Sequence, residues 1–502
     1  MRQSGGLASV VLSQRQKLAL LLIVVVFLTA TVSVALTRIP WCDEAWFACA
    51  GFNLAAHGRL TTPVVAPAPD DPKTMGLAQH TYWVMPLNLL FQAGWYKLFG
   101  FNLFALRSVS ILWGLIGLLS WFWIMQMLAG DVRIAVLTVG LLGTDYVFIL
   151  RAADGRMDMM SAALGYAALA AYLVLRNRSL NLAVLCAHSL VVLSGLTHPN
   201  GGLLSLAGVV FLTWYYDRES IHWRHACLAA IPYLVGAAGW SLYILEDPRL
   251  FLTQFGGNAS GRLGLLNPWR ALRREIVERY LPTFGFQPGS PAAAKIKLLL
   301  LLGYVAGMAG TLSVPELRRR RGVRALFILC MIHLLFLTMQ SVKHPAYLVY
   351  SIPFFSAFLA VWMLWCWSRP ALPSVTMGLA LAVFILLQLG AVANVVSHNK
   401  YGGSYGETAA FLKSHAGAAD PVVGEPELGF ALGFDTAFLD DRRLGYYSHR
   451  MPRFIVMGED YRQSLQQFRR DQPEIAQYIT GVLASQYRPV FKNDTYTVFA
   501  RQ

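Results

Sequence analysis

The sequence has few charged residues for its length: Asp, Glu, Lys and Arg make up 14% of its 502 residues. Soluble domains usually carry about 25% charged residues. Hydrophobic residues reach 56%, whereas disordered chains have low hydrophobicity. The composition therefore excludes a soluble globule of this size and a disordered chain, and it indicates a polytopic membrane protein.

Acidic residues are scarce relative to basic ones, with 27 Asp and Glu against 42 Lys and Arg, so the net charge is +15. In a soluble domain this imbalance would suggest a nucleic-acid partner. In a membrane protein, Lys and Arg concentrate in cytoplasmic loops for topological reasons. We therefore predict membrane lipids as partners and no nucleic acid.

Cysteine is also scarce, and the six cysteines are dispersed. They form no CxxC pair and no Cys/His spacing typical of a metal site. Cys42 and Cys49 on one helix would lie about 10 Å apart, which is too far for a disulfide. We predict no required metal and no cofactor.

Eleven apolar runs carry few ionisable residues and are long enough to cross a bilayer. They are 18–37, 108–130, 133–150, 159–175, 180–197, 201–216, 226–245, 298–315, 325–342, 346–368 and 371–397. None shows the alternation of a membrane barrel, so we predict helices. The expected fold is a polytopic α-helical membrane protein with about eleven transmembrane helices.

The basic residues indicate the orientation of these helices. With the N-terminus in the cytoplasm, the short cytoplasmic segments hold fourteen basic residues: Arg2, Arg15, Lys17, Arg133, Arg176, Arg178, Arg218, Arg224, Arg318, Arg319, Arg320, Arg321, Arg324 and Arg369. The short outer loops hold three: Arg151, Arg156 and Lys343. The positive-inside rule therefore predicts a bacterial-type inner-membrane protein with a cytoplasmic N-terminus and an external C-terminus.

Three longer segments are predicted on the outer face. Loops 38–107 and 246–297 interrupt a transmembrane domain at 1–397, and the region 398–502 follows it. The last region has a helix-like piece at 407–415 and strand-like pieces. These pieces are Pro421–Val423, Arg453–Met457 and Thr495–Phe499. Helices alternating with short β-rich runs predict a small C-terminal α/β domain.

The first outer loop opens with two adjacent acids, Asp43 and Glu44, among aromatic residues. Residues 43–57 are predicted to form an amphipathic helix at the interface, and 82–99 a second one. A carboxylate at the membrane rim can act as a general base on a hydroxyl or amine. The alternative is helix capping, because acids are common in the first turn of a helix.

Five pieces of sequence in a fixed order carry a family resemblance. They are Asp43-Glu44-Ala45 with Gly58-Arg59-Leu60, Leu98-Phe99-Gly100 with Ala105-Leu106-Arg107-Ser108, Arg156-Met157-Asp158-Met159-Met160, Leu196-Thr197-His198-Pro199-Asn200-Gly201, and Lys343-His344-Pro345-Ala346-Tyr347-Leu348. Over roughly residues 15–400 the chain resembles the GT-C membrane glycosyltransferases. The resemblance is to the family that includes protein O-mannosyltransferases and the lipid A aminoarabinose transferase.

The resemblance implies an inverting glycosyltransferase that takes its sugar from a polyprenyl-phosphate donor. The acceptor would be a lipid, a glycan or a protein at the outer face. Asp43 would be the general base and Glu44 a supporting or orienting acid. An outer-face enzyme also needs a donor that arrives through the lipid, because nucleotide sugars are cytoplasmic.

The departing lipid phosphate requires fixed cations or hydrogen-bond donors. The predicted substrate-binding residues are Arg107, Arg151, Lys343, His344 and Tyr347 for the phosphate, and Asp158 and His80 for the sugar or acceptor. The alternatives are membrane anchoring for Arg107 and Lys343 and helix capping for Asp158. Asp145, inside the third span, is expected to pair with Arg151.

Two other functions share these features. A transporter or flippase of lipid-linked glycans also needs many helices, but it commonly has internal repeats and charges deep in several spans. The third possibility is a glycan-binding scaffold in which 398–502 is the functional part. Mutation of Asp43 and Glu44 separates the three, because only the enzyme should lose its activity.

Overall fold

The computed structural model describes residues 12–260, 262, 267–287, 289, 291–369, 374–417, 420–434 and 437–502. The chain divides into two compact units. Unit 1 comprises Ser110–Tyr243 and the described residues of 1–33 and 261–394. Unit 2 comprises Val34–Val109, Ile244–Ser260 and the described residues of 395–502. Arg2 lies outside the described residues.

Most of the described chain is helical. The first helices are α1 (Gln14–Thr37), α2 (Cys42–His57), α3 (Pro86–Phe99), α4 (Leu103–Ala129), α5 (Val132–Thr144), α6 (Tyr146–Ala152), α7 (Asp158–Leu175), α8 (Leu180–Thr197), α9 (Pro199–Asp217), α10 (Trp223–Ile244) and α11 (Pro248–Ala259). The others are α12 (Pro268–Arg274), α13 (Leu281–Thr283), α14 (Leu298–Ser313), α15 (Pro315–Arg318), α16 (Arg321–Met339), α17 (Ile352–Trp367), α18 (Ser374–His398), α19 (Gly406–His415), α20 (Gly429–Leu432), α21 (Glu459–Asp471) and α22 (Pro473–Gln486).

The predicted fold class, a polytopic α-helical membrane protein, is confirmed. Within the described residues, nine helical segments are long and apolar enough to cross a membrane, and ten if α5 and α6 form one bent span. The described parts of all eleven predicted runs fall on helices. The run 201–216 lies on α9, which is not among the ten, and the run 346–368 begins with a 3-10 turn before α17.

The third predicted span is broken at Asp145, where α5 and α6 meet at 67°. The backbone of Asp145 is extended. Its side-chain Oδ1 accepts the Phe148 N–H at 2.7 Å, so Asp145 is the N-cap residue of α6. Its Oδ2 accepts the Tyr304 hydroxyl at 2.6 Å and the Gln388 amide at 3.0 Å. The expected pairing of Asp145 with Arg151 is wrong, because these neutral donors satisfy the Asp145 carboxylate.

Unit 2 contains the predicted α/β region. Its strands are β1 (Val422–Gly424), β2 (Phe438–Leu439), β3 (Phe454–Met457), β4 (Tyr487–Lys492) and β5 (Thr497–Arg501), in the order β2-β1-β3-β5-β4. The β1 pairings are parallel, and β5 pairs antiparallel with β3 and β4. Apolar side chains of α21 and α22, including Phe468 and Ile479, share a core with β3.

The segment 38–107, predicted to be an outer loop, belongs to the same compact unit as this sheet. Val65 forms a parallel bridge with Asp440 just after β2. The Asp440 N–H donates to the Val64 carbonyl at 2.7 Å, and the Ala66 N–H donates to the Asp440 carbonyl at 2.9 Å. Backbone pairing thus joins two segments that are far apart in the sequence.

Helices α2 and α3 approach closely in unit 2. Gly51 of α2 faces Gln92 and Tyr96 of α3, and a Cβ at Gly51 would lie about 3 Å from both side chains. The absence of a side chain at Gly51 therefore permits the contact. The predicted helix at 82–99 begins at Pro86, which suits the first turn of a helix, and it is not among the candidate spans.

Candidate active site

The first turn of α2 carries the two adjacent acids. Trp41 is the N-cap residue, and its backbone N–H donates to Glu44 Oε2 at 3.3 Å. Glu44 occupies the third helical position, where a carboxylate can reach back to the cap in this way. Capping is therefore a function of Glu44, and Asp43 is not the cap.

Glu44 forms a fully buried ion pair with Arg107 of α4, and both side chains are 0% exposed. Arg107 Nε and Nη2 donate to the two Glu44 carboxylate oxygens, each at 2.8 Å. Arg107 Nη1 donates to the carbonyls of Ala35 and Arg38, and Nη2 also donates to that of Ile39. All five guanidinium hydrogens thus have protein acceptors, which favours a positioning role for Arg107 over phosphate binding.

Asp43 differs from its neighbours in exposure. It is partly exposed, whereas Cys42 and residues 44–50 are buried. The Cys42 thiol lies 3.9 Å from Asp43 Oδ1. At the second helical position the carboxylate also benefits from the partial positive charge of the helix N-terminus. Of the two acids, Asp43 is therefore the more exposed one.

The C-terminal region contacts this same turn within unit 2. Asp440 Oδ2 accepts the Trp46 indole N–H at 2.9 Å, and its Oδ1 accepts the Tyr461 hydroxyl at 2.9 Å. The Arg442 guanidinium lies 5.3 Å from the Trp46 ring and donates to Cys42 Sγ at 3.0 Å. Asp440 and Arg442 were not predicted from the sequence, because no local pattern relates them to α2.

His80, predicted to bind sugar hydroxyls, lies elsewhere in unit 2. Its ring stacks on Tyr82 with centroids 5.2 Å apart, and its Nδ1 is 3.5 Å from a Glu246 carboxylate oxygen. Gln254, which is fully buried, bonds to the His80 carbonyl and to the Tyr82 N–H. These contacts hold His80 against the segment 244–260, and its sugar-binding role remains a prediction.

Unit 1 contains a second group of predicted site residues, which we name the cationic cluster. Its members are Arg151, Asp154, Arg156, Asp158, His198, Arg262, Glu275, Arg279, Lys343, His344 and Tyr347. Five are basic residues and three are carboxylates, so the cluster is net positive even with neutral histidines. Five of its members were predicted from the sequence to bind substrate: Arg151, Asp158, Lys343, His344 and Tyr347.

Asp158 begins α7 and is almost completely buried in the cationic cluster. Its Oδ2 accepts the Arg156 Nε–H at 2.6 Å. Its Oδ1 is buried and has no hydrogen-bond partner among the described residues. Buried polar atoms are normally satisfied, so Oδ1 marks a position where a donor from a ligand fits.

Tyr347 connects the parts of the cationic cluster. Its hydroxyl accepts from Arg262 Nη1 at 3.2 Å, and the Arg279 guanidinium lies 5.8 Å from its ring. The rings of His198 and His344 are centred 5.6 and 5.9 Å from the Tyr347 ring. The structure therefore brings His198, Arg262 and Arg279 from other parts of the chain to the segment that contains this tyrosine.

The two histidines of the cationic cluster are neutral at physiological pH. Burial lowers the pKa of His198 to about 4, although Asp158 opposes the shift. Burial, with Arg156 next, lowers the pKa of His344 to about 3. Each Nδ1 faces a backbone N–H, of Asn200 and Ala346 respectively, at 3.1 Å. Each Nδ1 is therefore the acceptor, and each Nε2 carries a proton that it can donate.

The pKa of His198 predicts a loss of stability in acid. The ordinary value of 6.5 falls to about 4 in the folded state. Between these values the unfolded chain binds a proton that the native state does not. The folded protein therefore becomes less stable as the pH is lowered through this range. The loss is about 3 kcal/mol between pH 7.5 and 4. Thermal unfolding of detergent-solubilised protein should show it, and His198→Asn, which keeps a capping acceptor, should reduce it. An equal acid slope in both proteins would contradict the assignment.

Lys343 is buried beside the end of α16. Its Nζ donates to the carbonyls of Thr338 at 2.6 Å and Leu337 at 3.2 Å, and lies 3.0 Å from Glu275 Oε2. Arg279 pairs with the other Glu275 oxygen at 2.6 Å. Burial lowers the pKa of Lys343, opposed by the bond to Glu275. The lysine is thus a helix C-terminal cation as well as a member of the cluster.

Several cationic donors in the cluster remain unsatisfied. Arg151 Nη1 pairs with Asp154 at 2.8 Å, but Arg151 Nε and Arg279 Nε are buried with no hydrogen-bond partner among the described residues. These donors suit an anionic ligand. In the part of the chain that the structure describes, no three His, Cys, Asp or Glu side chains could hold a metal ion together.

No protein-family model and no curated protein matches the chain in sequence. Its structure is similar to ArnT from Cupriavidus metallidurans bound to undecaprenyl phosphate, with a TM-score of 0.64 and 16% identity over 96% of this chain and 97% of that one. It is also similar to the Archaeoglobus fulgidus oligosaccharyltransferase in its apo form, with a TM-score of 0.52 and 11% identity over 93% and 69% of the two chains.

A third similar structure is the oligosaccharyltransferase AglB from Archaeoglobus fulgidus with an inhibitory peptide and a dolichol-phosphate, at a TM-score of 0.51 and 12% identity over 95% and 69% of the chains. At these identities the similarity establishes the fold. The chain has the GT-C fold of a polytopic membrane protein, as the sequence resemblance predicted.

Proposed function

We propose that the protein is an inverting glycosyltransferase that moves a sugar from a polyprenyl-phosphate donor to a lipid, glycan or protein acceptor at the outer face of the membrane. Its GT-C fold is shared with ArnT bound to undecaprenyl phosphate and with AglB bound to a dolichol-phosphate. The hypothesis is argued from two sets of residues, each within its own unit.

The observation that carries this proposal is the division of roles between the two adjacent acids. Arg107 buries and fixes Glu44, whereas Asp43 remains partly exposed on the same rigid turn. A general base must reach the proton that it abstracts and must be held in place by its surroundings. We propose Asp43 as the base, and Glu44 and Arg107 as positioning residues.

In the proposed reaction, Asp43 takes the proton of the acceptor hydroxyl or amine. The acceptor atom then bonds to the anomeric carbon of the sugar, and the bond from that carbon to the phosphate oxygen breaks. The oxygen leaves with the bonding electron pair on the polyprenyl phosphate. Atoms and charge balance, because the new negative charge on the phosphate replaces the one that Asp43 loses.

We propose that the cationic cluster holds this phosphate. Its net charge is positive, and two arginine Nε–H donors are buried and unsatisfied. The neutral His344 adds a donor without adding charge, and Asp158 Oδ1 accepts from a sugar hydroxyl or ammonium group. Donors that are already oriented stabilise a developing anion at little cost of reorganisation.

The proposed activity is tested with the purified full-length protein and a panel of polyprenyl-phosphate sugars. Product mass identifies the transferred sugar, and free polyprenyl phosphate should appear in equal amount. Release of the lipid phosphate without any glycosylated acceptor would indicate hydrolysis. Movement of intact donor across proteoliposomes without any product would support the flippase alternative instead.

Lys343→Ala tests the phosphate site. The Lys343 ammonium already bonds to Leu337, Thr338 and Glu275, so it would act on the donor phosphate through its charge, and its loss should raise the Kd for undecaprenyl phosphate several-fold. Tryptophan fluorescence titration measures this Kd. Lys97→Ala, at an exposed position at the end of α3, is the matched control. Unchanged affinity in Lys343→Ala would show that this lysine acts only on the end of α16.

A further inference from the structure

A second basic site in unit 1 is lined by none of the residues of the cationic cluster. An open groove of about 330 Å³ is lined by Leu312, Arg318, Arg319, Val323, Arg324 and Phe327. This volume is within the range of small-molecule sites. The lining divides equally between arginines and apolar residues, so the groove has both a charged and an apolar character.

The three groove arginines are exposed and make no side-chain hydrogen bond or ion pair within the described residues. The neighbouring acid, Glu316, is already occupied by Arg369 and by the Trp365 indole N–H. The groove lining contains no carboxylate. Positive charge is therefore concentrated in the groove without an internal counter-ion.

Another arginine of the same run, Arg321, has structural contacts. Arg321 donates to the Tyr215 carbonyl at 2.9 Å and lies 4.7 Å from the Tyr216 ring. This contrast separates Arg321, which packs against α9, from the three arginines that line the groove. The positive-inside rule alone explains an excess of basic residues at these helix ends. It does not explain why three arginines line one groove together with apolar side chains.

The apolar side of the groove belongs to helices that are candidate membrane spans. Leu312 lies near the end of the span Ala294–Ser313, and Val323 and Phe327 lie near the start of the span Arg321–Met339. Acyl chains in the bilayer would therefore run beside these helices. Guanidinium groups bind phosphate oxygens in a two-pronged geometry that a single ammonium cannot match.

We propose that this groove binds the phosphate headgroup of an anionic phospholipid, with its acyl chains along α14 and α16. Arg318, Arg319 and Arg324 contact the phosphate, and Leu312, Val323 and Phe327 contact the first part of the acyl chains. The site is independent of the proposed transferase reaction, and it lies on the side that the sequence predicts to be cytoplasmic.

The test uses native mass spectrometry of the full-length protein in detergent, titrated with phosphatidylglycerol or with phosphatidylcholine. We expect one phosphatidylglycerol to bind at least about tenfold more tightly than phosphatidylcholine, because each arginine near an anionic headgroup adds attraction. Arg318→Gln/Arg319→Gln/Arg324→Gln should remove this preference. Inorganic phosphate at equal concentration should not displace the lipid, because it lacks the acyl contacts.

Two controls separate lipid binding from other effects of charge. Arg469→Gln/Arg470→Gln/Arg488→Gln removes the same charge from exposed positions in the C-terminal region and should leave the preference intact. Substitution of the three groove arginines by lysine keeps the charge that orients the helices but should weaken binding several-fold. Equal binding of both lipids by the natural protein, or equal losses in the two glutamine variants, would overturn the proposal.

Discussion

Asp43→Asn is expected to lower the rate of sugar transfer by roughly 10²- to 10⁴-fold, the usual contribution of a general base. Asparagine has nearly the same size as aspartate but cannot accept the proton of the acceptor. The affinity for undecaprenyl phosphate should be unchanged, because the proposed phosphate ligands belong to the cationic cluster. Single-turnover assays with a saturating donor, together with donor titration, measure the two quantities separately.

Asp71→Asn is the matched control for this experiment. Asp71 lies in the same outer loop and pairs with Lys73 at 3.3 Å, with both side chains about one-third exposed. We expect its transfer rate to remain close to that of the natural protein, because exposed ion pairs contribute little. If Asp43→Asn retained normal turnover, Asp43 could not be the base.

Glu44→Ala is expected to destabilise the protein by about 3–5 kcal/mol, because it leaves the Arg107 charge buried without its partner. Arg107→Ala should have a similar cost, since it removes the counter-charge of Glu44 and the donors to three backbone carbonyls. Both variants should show a lower Tm in detergent. Transfer should also fall, because the first turn of α2 would no longer be fixed.

The exposed pair Arg133–Asp131 offers a control for these losses. Arg133 is 72% exposed there, and its loss should cost no more than about 1 kcal/mol. The double variant Glu44→Leu/Arg107→Met should recover part of the lost stability, because it removes both buried charges together. A Tm for Glu44→Ala equal to that for Arg133→Ala would show that the buried pair contributes little.

The membrane helices could be predicted because their signal is local. About 30 Å of hydrocarbon requires some twenty apolar residues in a row, and most of the eleven runs show this directly. The break at Asp145 was not predicted, since it depends on Tyr304 and Gln388, which are distant in sequence. In the C-terminal region, the predicted pieces correspond to α19, β1, β3 and β5, whereas β2, β4, α21 and α22 were not identified.

The sequence predicted which residues form the candidate site better than it predicted the contacts that these residues make. Asp43 and Glu44 stand out in the sequence because two acids follow a membrane span. Their different environments depend on Arg107, which is 63 residues beyond Glu44 and whose side chain could equally have faced lipid or solvent. Lys343 was recognised as a cation near the outer face, but its bonds to the end of α16 follow from packing that no sequence pattern shows.

The backbone bridge between Val65 and Asp440 has a consequence for protein engineering. The loop that follows α2 and the sheet that ends the chain share hydrogen bonds, and Asp440 also holds the indole of Trp46. A chimera that exchanged only this sheet with the corresponding sheet of another protein of the same fold would place strands of different sequence against this loop. Donor and recipient segments should therefore be exchanged together, as one block made of two stretches of the chain.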